Sequence, residues 1–328
     1  MLKPLTGARR PLALADLGAI RVQGADAVKF LQGQLSNDIA KLTEGTSLLA
    51  GLHNAQGRTI ALLRLVLVGP DEIVGILPRE LAGTVAARLS KFVLRSKAKI
   101  SEASAQYAIA GVEAGAPQSW SGAVVGATRR EADGSLSVCA GLSPLRWLAL
   151  RPAAADAAHD TPAGSSDSTH SASEEREHWR ALDIADGVPQ VYAATSEAFV
   201  AQMLNLDVAG GISFEKGCYT GQEVIARAHY RGKVKRRMQR FVTLAPAPAE
   251  LTPGASGTFK DGRSFKVVDA VKKADGTTEF LAVAPLRAAE SDATAASAAD
   301  ADSAHDATGS GIVGLEVSQL ELPYSLPA

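Results

Sequence analysis

The sequence predicts an α+β protein of more than one domain. Three observations carry this. Short apolar runs alternate with segments of helical spacing, joined by short turns. The C-terminal part holds several strand-like runs separated by Gly and Asp-Gly turns. A length of 328 residues exceeds what one small core organises.

Block one covers residues 1–151, with its pattern starting at Leu12. Residues 19–22 read as a short strand. Residues 25–35 carry Val28, Leu31 and Leu35 at helical spacing. Residues 59–68 form a strongly apolar strand, interrupted only by Arg64 in the run from Ile60 to Val68. Residues 72–77 form another, and Gly69-Pro70-Asp71 supplies the turn between them, so the two pair antiparallel. Residues 80–94 carry Leu81, Val85, Leu89 and Phe92, a helical stripe. Block two covers residues 174–239. Residues 174–184 read as a helix, Gly187-Val188-Pro189 ends it, and residues 196–206 form a second candidate helix. Block three covers residues 240–328. Its runs at 241–244, 265–268 and 280–283, with turns at Asp261-Gly262 and Asp275-Gly276, predict a small antiparallel barrel or sandwich. Residues 152–173 and 288–310 are rich in Ala, Ser, Asp and Thr and lack large apolar side chains. They cannot bury enough surface to offset ordering entropy and read as a flexible linker and an acidic insertion.

Composition excludes several classes. Apolar residues at 46% and charged residues at 21% exclude a chain disordered throughout. The net charge of −1 argues against a protein built mainly to coat nucleic acid. Two cysteines, Cys139 and Cys218, cannot form a zinc knuckle or hold a four-cysteine cluster within one chain, so no stably bound metal is expected. No apolar run approaches the ~20 residues of a membrane span, and no signal peptide is read at the start, so a reducing cytoplasm is the expected location.

Chemistry concentrates in residues 215–227, EKGCYTGQEVIAR. Thr220 with Glu223 fits a capping box at a helix start. That places Cys218 just ahead of a helix N-terminus, where partial positive charge favours a thiolate. Lys216 and Arg227 add positive potential, and Gly217 and Gly221 permit tight turns. Two readings stand: an activated, accessible thiol in a ligand pocket, or a buried thiol that fills space. Cys139 lacks such a setting and reads as structural. From Lys216 to Arg240 there are eight Lys or Arg residues and one acid, Glu223. The densest part, Lys233 to Arg237, is either a solvated face or a site for a polyanion such as a polyglutamate tail, RNA or an acidic partner. His229 and Tyr230 interleave with these bases, as stacking on a flat ligand would require.

The octapeptide from Lys216 to Glu223, KGCYTGQE, resembles the signature of the YgfZ family, folate-binding proteins of iron–sulfur cluster assembly or repair related to the glycine cleavage T-protein. Gly187-Val188-Pro189, residues 202–206, residues 210–214 ahead of the signature, Tyr230-Arg231-Gly232 behind it and residues 30–38 are similar to the family as well. The resemblance implies a T-protein-like folate-binding fold: α+β subdomains around a central cavity, plus a small C-terminal antiparallel β-barrel. It implies tetrahydrofolate, or a derivative, as cofactor. Trp179 stands where family members line the folate site with tryptophan, and a flat indole suits a pterin ring. Some members carry a second pocket tryptophan near the position of Leu17. The T-protein itself places acids in a Gly-Gly-Ile-x-Asp-Asp segment. Here the matching stretch is Gly57 to Leu62, with Ala61 and Leu62 at the acid positions.

The resulting expectation is a tetrahydrofolate-binding accessory factor for iron–sulfur proteins, with tRNA modification affected indirectly. Cys218 is its reactive residue. Trp179, Lys216, Gly217, Tyr219, Gly221, Gln222, Glu223 and Arg227 are its cofactor-binding set. A single thiolate cannot hold a cluster, so contact with iron–sulfur proteins or their assembly machinery would be transient. The alternatives are a folate-dependent aminomethyl or methyl transferase, disfavoured by the missing acids, RNA binding through residues 227–240, and a thiol oxidoreductase, for which no second cysteine lies near Cys218 in sequence.

Overall fold

The computed structural model describes residues 11–113, 124–153, 172–232, 234–286 and 311–327. Three sheets organise it. The first contains β2 (Leu17–Gln23), β3 (Leu48–His53), β4 (Thr59–Gly69), β5 (Glu72–Pro78) and β6 (Lys99–Glu102) in the order β3-β4-β5-β2-β6. Every pair in it is antiparallel. The apolar run of β4 is explained by burial of both faces. Ile20, Val22, Leu63, Leu65 and Ile73 pack with α1 (Ala27–Gln32) and α2 (Arg79–Ser90). Ala19, Val66, Val74 and Ile76 pack against the second sheet. An antiparallel sheet that kept one face in water would alternate instead.

The second sheet contains β1 (Leu12–Ala13), β7 (Tyr107–Glu113), β8 (Thr128–Arg130), β9 (Leu136–Leu142) and β10 (Leu145–Pro152), ordered β1-β7-β10-β9-β8. Helix α3 (Ala172–Ala185) lies against it. Glu174 and Glu175 in its first turn complement the helix dipole. Trp179 packs on the backbone of Gly111 in β7, where any Cβ would stand 2.3 Å from indole Cε3. Only glycine permits that approach. Pro152 belongs to β10 and Ala172 opens α3, so the linker expected at 152–173 loses its ends to regular structure. Residues 154–171, like the acidic insertion at 288–310, lie outside the described residues.

The third sheet contains β11 (Arg236–Thr243), β12 (Ser256–Phe259), β13 (Ser264–Lys272), β14 (Thr278–Pro285), β15 (Ile312–Leu315) and β16 (Val317–Leu320), ordered β15-β12-β13-β14-β11-β16. Its two edges are consecutive in the chain, with only Glu316 between β15 and β16. One extended segment therefore pairs with β12 and then with β11, closing the sheet into a small barrel. The β12–β15 pair is parallel, a departure from the all-antiparallel barrel expected. Phe241, Phe259, Phe265 and Phe280 fill its interior. Both Asp-Gly turns form as read: Asp261 accepts the N–H of Arg263 at 3.1 Å and Asp275 that of Thr277 at 2.9 Å.

Two helix expectations need correction. The helix at 25–35 is shorter, because Gly33 ends it and Leu35 already bridges to Leu52 of β3. Residues 196–206 form no α-helix, only a 3₁₀ turn at Ala201–Leu204. The segment instead spends its backbone on the start of β4: Thr59 N–H donates to Phe199 at 2.7 Å and Glu197 N–H to Thr59 at 2.8 Å. Tertiary pairing outweighs helical periodicity here. Among the described residues no helix is long and apolar enough to cross a membrane.

Candidate functional site

A cavity of about 80 Å³ opens where the first sheet, the second sheet and α3 meet. Leu17 of β2, Leu62 and Arg64 of β4, and Trp179, Arg180 and Asp183 of α3 all reach it. The structure thus joins Trp179 with Leu17 and Leu62, positions where the family resemblance implies a second tryptophan and an acid in other members. Ala61, the other position where it implies an acid, is buried in the core. Trp179 is 4% exposed, and the Arg146 guanidinium lies 4.8 Å from its ring centroid. One indole face is therefore already covered by a cation–π contact. That restricts the pterin stacking expected of Trp179 to whatever part of the ring meets the cavity.

Charge around the cavity is paired. Arg146, fully buried, donates to Asp183 and to Asp186, each at 2.7 Å. Arg180 pairs with Asp269, whose other oxygen accepts the Tyr192 hydroxyl at 2.9 Å. Arg64, Arg176 and Asp16 are the exceptions: all three line the cavity with no side-chain hydrogen bond or ion pair among the described residues. Burial lowers the pKa of Arg64, Asp183 opposes through space, and Arg146 adds to the lowering.

The signature occupies a different place, beside α1 and the β3–β4 turn. Lys216 is buried and its ammonium donates to three carbonyls, of Gln32 and Leu35 at 2.6 Å and of Asn37 at 2.8 Å. All three of its N–H donors are used, so it anchors the loop and leaves none for an external anion. Burial pulls its pKa down to about 8, with Asp38 opposing. Tyr219 is buried, its ring 5.1 Å from the Lys216 ammonium, and burial raises its hydroxyl to about 12. Gly221 has φ +83°, and a Cβ there would fall 2.4 Å from the Asn54 carbonyl. This position requires glycine.

The capping box does not form. Helix α4 (Gln222–Tyr230) starts at Gly221, which has no side chain to cap it, and Thr220 lies exposed outside the first turn. Gln222 instead accepts the Tyr219 N–H at 3.3 Å. Cys218 is exposed and a free thiol, with Gly217 open beside it. Glu223 and Arg227 project from α4 into solvent. Cys139 is buried in β9, and burial pushes its thiol up. The basic run also divides. Arg237 is buried and bidentate to Asp207 at 3.0 and 2.8 Å, and Arg240 pairs with Glu279. Lys235 stays exposed, and Lys233 lies outside the described residues.

The structure thus separates Trp179 from the signature: none of residues 216–223 lines the cavity. It also adds residues that sequence reasoning missed. Arg64 carried a legible signal, since it interrupts the longest apolar run. His53 carried none. It is 1% exposed, 6.3 Å from the Tyr219 ring, and neither ring nitrogen has a partner among the described residues. Burial holds its pKa at about 3, so the imidazole is neutral. Among the described residues no three His, Cys, Asp or Glu side chains gather to hold a metal ion.

No family model matches the chain. It is similar to the tRNA-modifying protein YgfZ of Escherichia coli O157:H7 (strain EC4115 / EHEC), at 32% identity over 292 residues, covering 84% of this chain and 86% of that one. The protein of the same name from Cronobacter sakazakii is 33% identical over 246 residues, 72% of this chain and 73% of that one. In fold, the chain resembles the crystal structure of glycine cleavage system aminomethyltransferase T from Bartonella henselae, with a TM-score of 0.65 at 15% identity, over 84% of this chain and 78% of that one. That likeness establishes the T-protein fold and nothing of the chemistry. With 32% identity across 84% of its length, this chain belongs to the YgfZ family.

Proposed function

We propose that this protein binds tetrahydrofolate in the central cavity and serves iron–sulfur proteins as an accessory factor, with Cys218 as its reactive group. The observation that carries the reading is the meeting of Trp179, Leu17 and Leu62 in one cavity. The residues present suit a reduced folate. An aromatic ring and aliphatic side chains offer the flat apolar contact a pterin needs, and Arg64 offers free N–H donors. Bound there, tetrahydrofolate supplies a reduced pterin able to carry one-carbon units. Ligand pockets usually span roughly 300 Å³ or more. The cavity measures about 80 Å³, so entry of a folate requires side chains that line it to move, the exposed Asp16 and the partly exposed Arg176 among them.

Cys218 acts outside the cavity. Its thiol stands on a loop anchored by Lys216, reachable by a macromolecular partner. One thiolate cannot hold a cluster, so any cluster contact is shared with that partner and transient. The tRNA modification in the relatives' name then follows from a modifying enzyme that needs its cluster. Aminomethyl transfer is not proposed, because Leu62 brings an apolar side chain to the cavity where a carboxylate would steer protonated nitrogen. Anaerobic calorimetric titration with tetrahydrofolate tests the reading. Saturable one-to-one binding is expected; no heat and no thermal stabilisation at millimolar ligand would detach folate from this protein.

One observation favours a second reading, direct RNA contact. Phe214 stacks on His229 at 3.8 Å, Tyr230 closes edge-on at 4.7 Å and is 68% exposed, and Arg227 and Arg231 project nearby. Aromatic rings among cations suit splayed bases. Binding of this kind falls steeply with salt. A flat RNA titration at low salt removes it.

A further inference from the structure

Arg64 stands in the middle of β4, inside an otherwise apolar run, and its side chain lines the central cavity. The residue is partly exposed, and it lines the cavity. Of the neighbouring arginines, Arg176 also lines the cavity unpaired among the described residues, and two behave differently. Arg146 is locked to Asp183 and Asp186, and Arg180 to Asp269. Both pairs fix the walls. Arg64 feels Asp183 through space but hydrogen-bonds to nothing among the described residues.

A free arginine on an outer surface is ordinary, because water satisfies it. One that faces a small internal cavity keeps a desolvation cost that only hydrogen-bonded acceptors offset. Its five N–H donors form a planar fork that matches a carboxylate in bidentate geometry. Asp183 and Asp269 are already committed elsewhere, and no described acid takes the Arg64 fork, which leaves it to solvent or to a ligand.

We infer that Arg64 is the carboxylate-recognising residue of the central cavity: the ligand brings a carboxylate that takes the guanidinium fork. This rests on the folate reading, since folate carries its carboxylates on the glutamate portion and none on the pterin. The inference adds an orientation to that reading, with the glutamate end at β4.

The test compares the full-length protein with Arg64→Met and Arg64→Lys by anaerobic calorimetry. The two ligands are tetrahydrofolate and 6-methyltetrahydropterin, which lacks the glutamate. Arg64 has no hydrogen-bond or ion-pair partner among the described residues, so Arg64→Met is expected to keep the wild-type circular dichroism and melting temperature. It should weaken tetrahydrofolate binding roughly 10- to 100-fold, the range of a lost charge-assisted hydrogen-bond pair. Its affinity for 6-methyltetrahydropterin should be unchanged, and Arg64→Lys should fall between for tetrahydrofolate. Unaltered tetrahydrofolate binding by Arg64→Met overturns the inference. So does an equal loss for both ligands, which would place the guanidinium on the pterin or in the walls. Absence of tetrahydrofolate binding by the wild type refutes the folate reading instead. In that case thermal denaturation in 50 mM (about 0.05 M) glutarate decides. A melting-temperature rise in the wild type that Arg64→Met abolishes sustains the carboxylate assignment, and equal behaviour of the two proteins ends it.

Discussion

The central cavity and the signature loop solve opposite problems. The cavity is assembled from two sheets and a helix, and its order comes from charge pairs that tie those elements together. Arg146 joins β10 to α3 through Asp183 and Asp186, and Arg180 joins α3 to β13 through Asp269. The signature loop is one continuous peptide, and its order comes from backbone. Lys216 grips three carbonyls around the end of α1, and Gly221 lets the chain pass against Asn54. The cavity is lined by two arginines unpaired among the described residues, Arg64 and Arg176, while the loop leaves its thiol exposed. The difference indicates that a short motif can specify a local backbone shape completely, whereas a pocket between layers needs distant partners.

Four measurements break or sharpen this comparison. Arg146→Leu should be the most damaging. It leaves Asp183 and Asp186 without their guanidinium and should cost about 3 kcal/mol in urea unfolding. A loss near zero would mean that ion pairs do not hold the cavity walls. Gly221→Ala should cost about 2 to 3 kcal/mol, because its φ of +83° and the 2.4 Å approach to Asn54 both oppose a side chain. It should also change the rate at which iodoacetamide alkylates Cys218; an unchanged rate and stability would show that the loop does not depend on this turn.

His53 supplies a pH test of the loop's footing. Its pKa is about 3 in the folded protein, against an ordinary 6.5. Between those values the unfolded chain holds more protons, so stability is present above pH 6.5 and falls as pH drops toward 3. The loss should reach about 2 kcal/mol by pH 5, and His53→Leu should remove that part of the pH dependence. Identical pH profiles for the two proteins would contradict a neutral, buried imidazole. Smallest in stability is Cys218→Ala, which should unfold within about 0.5 kcal/mol of the wild type because the thiol is exposed. It should nevertheless fail to restore a strain lacking this protein. Full rescue would dismiss the thiol from function.

Much of the fold was legible in particular residues. The short strand at 19–22, the apolar run of β4 and the Asp-Gly turns of the barrel are each encoded locally. The second sheet was harder to read at its edges, where β1 has only two residues and β8 three. The helix expected at 196–206 misled for a related reason. Its spacing is helical, yet Thr59 claims its backbone from far along the chain.

The sequence by itself determined the family. An octapeptide of unusual residues is a local property, and the glycine, lysine and cysteine in it keep their identity wherever the chain goes. The sequence also carries Ala61 and Leu62 where the resemblance to the T-protein would place acids. Only the tertiary structure decided which residues share a site. It placed Trp179 with Leu17, Leu62 and Arg64, set Cys218 apart from them, and turned Lys216 from a candidate ligand contact into an internal anchor. The physical reason lies in the range of the interactions. Turns, periodicity and backbone strain act between near neighbours in sequence. Burial, cation–π contact and ion pairing act between whatever the folded layers bring together.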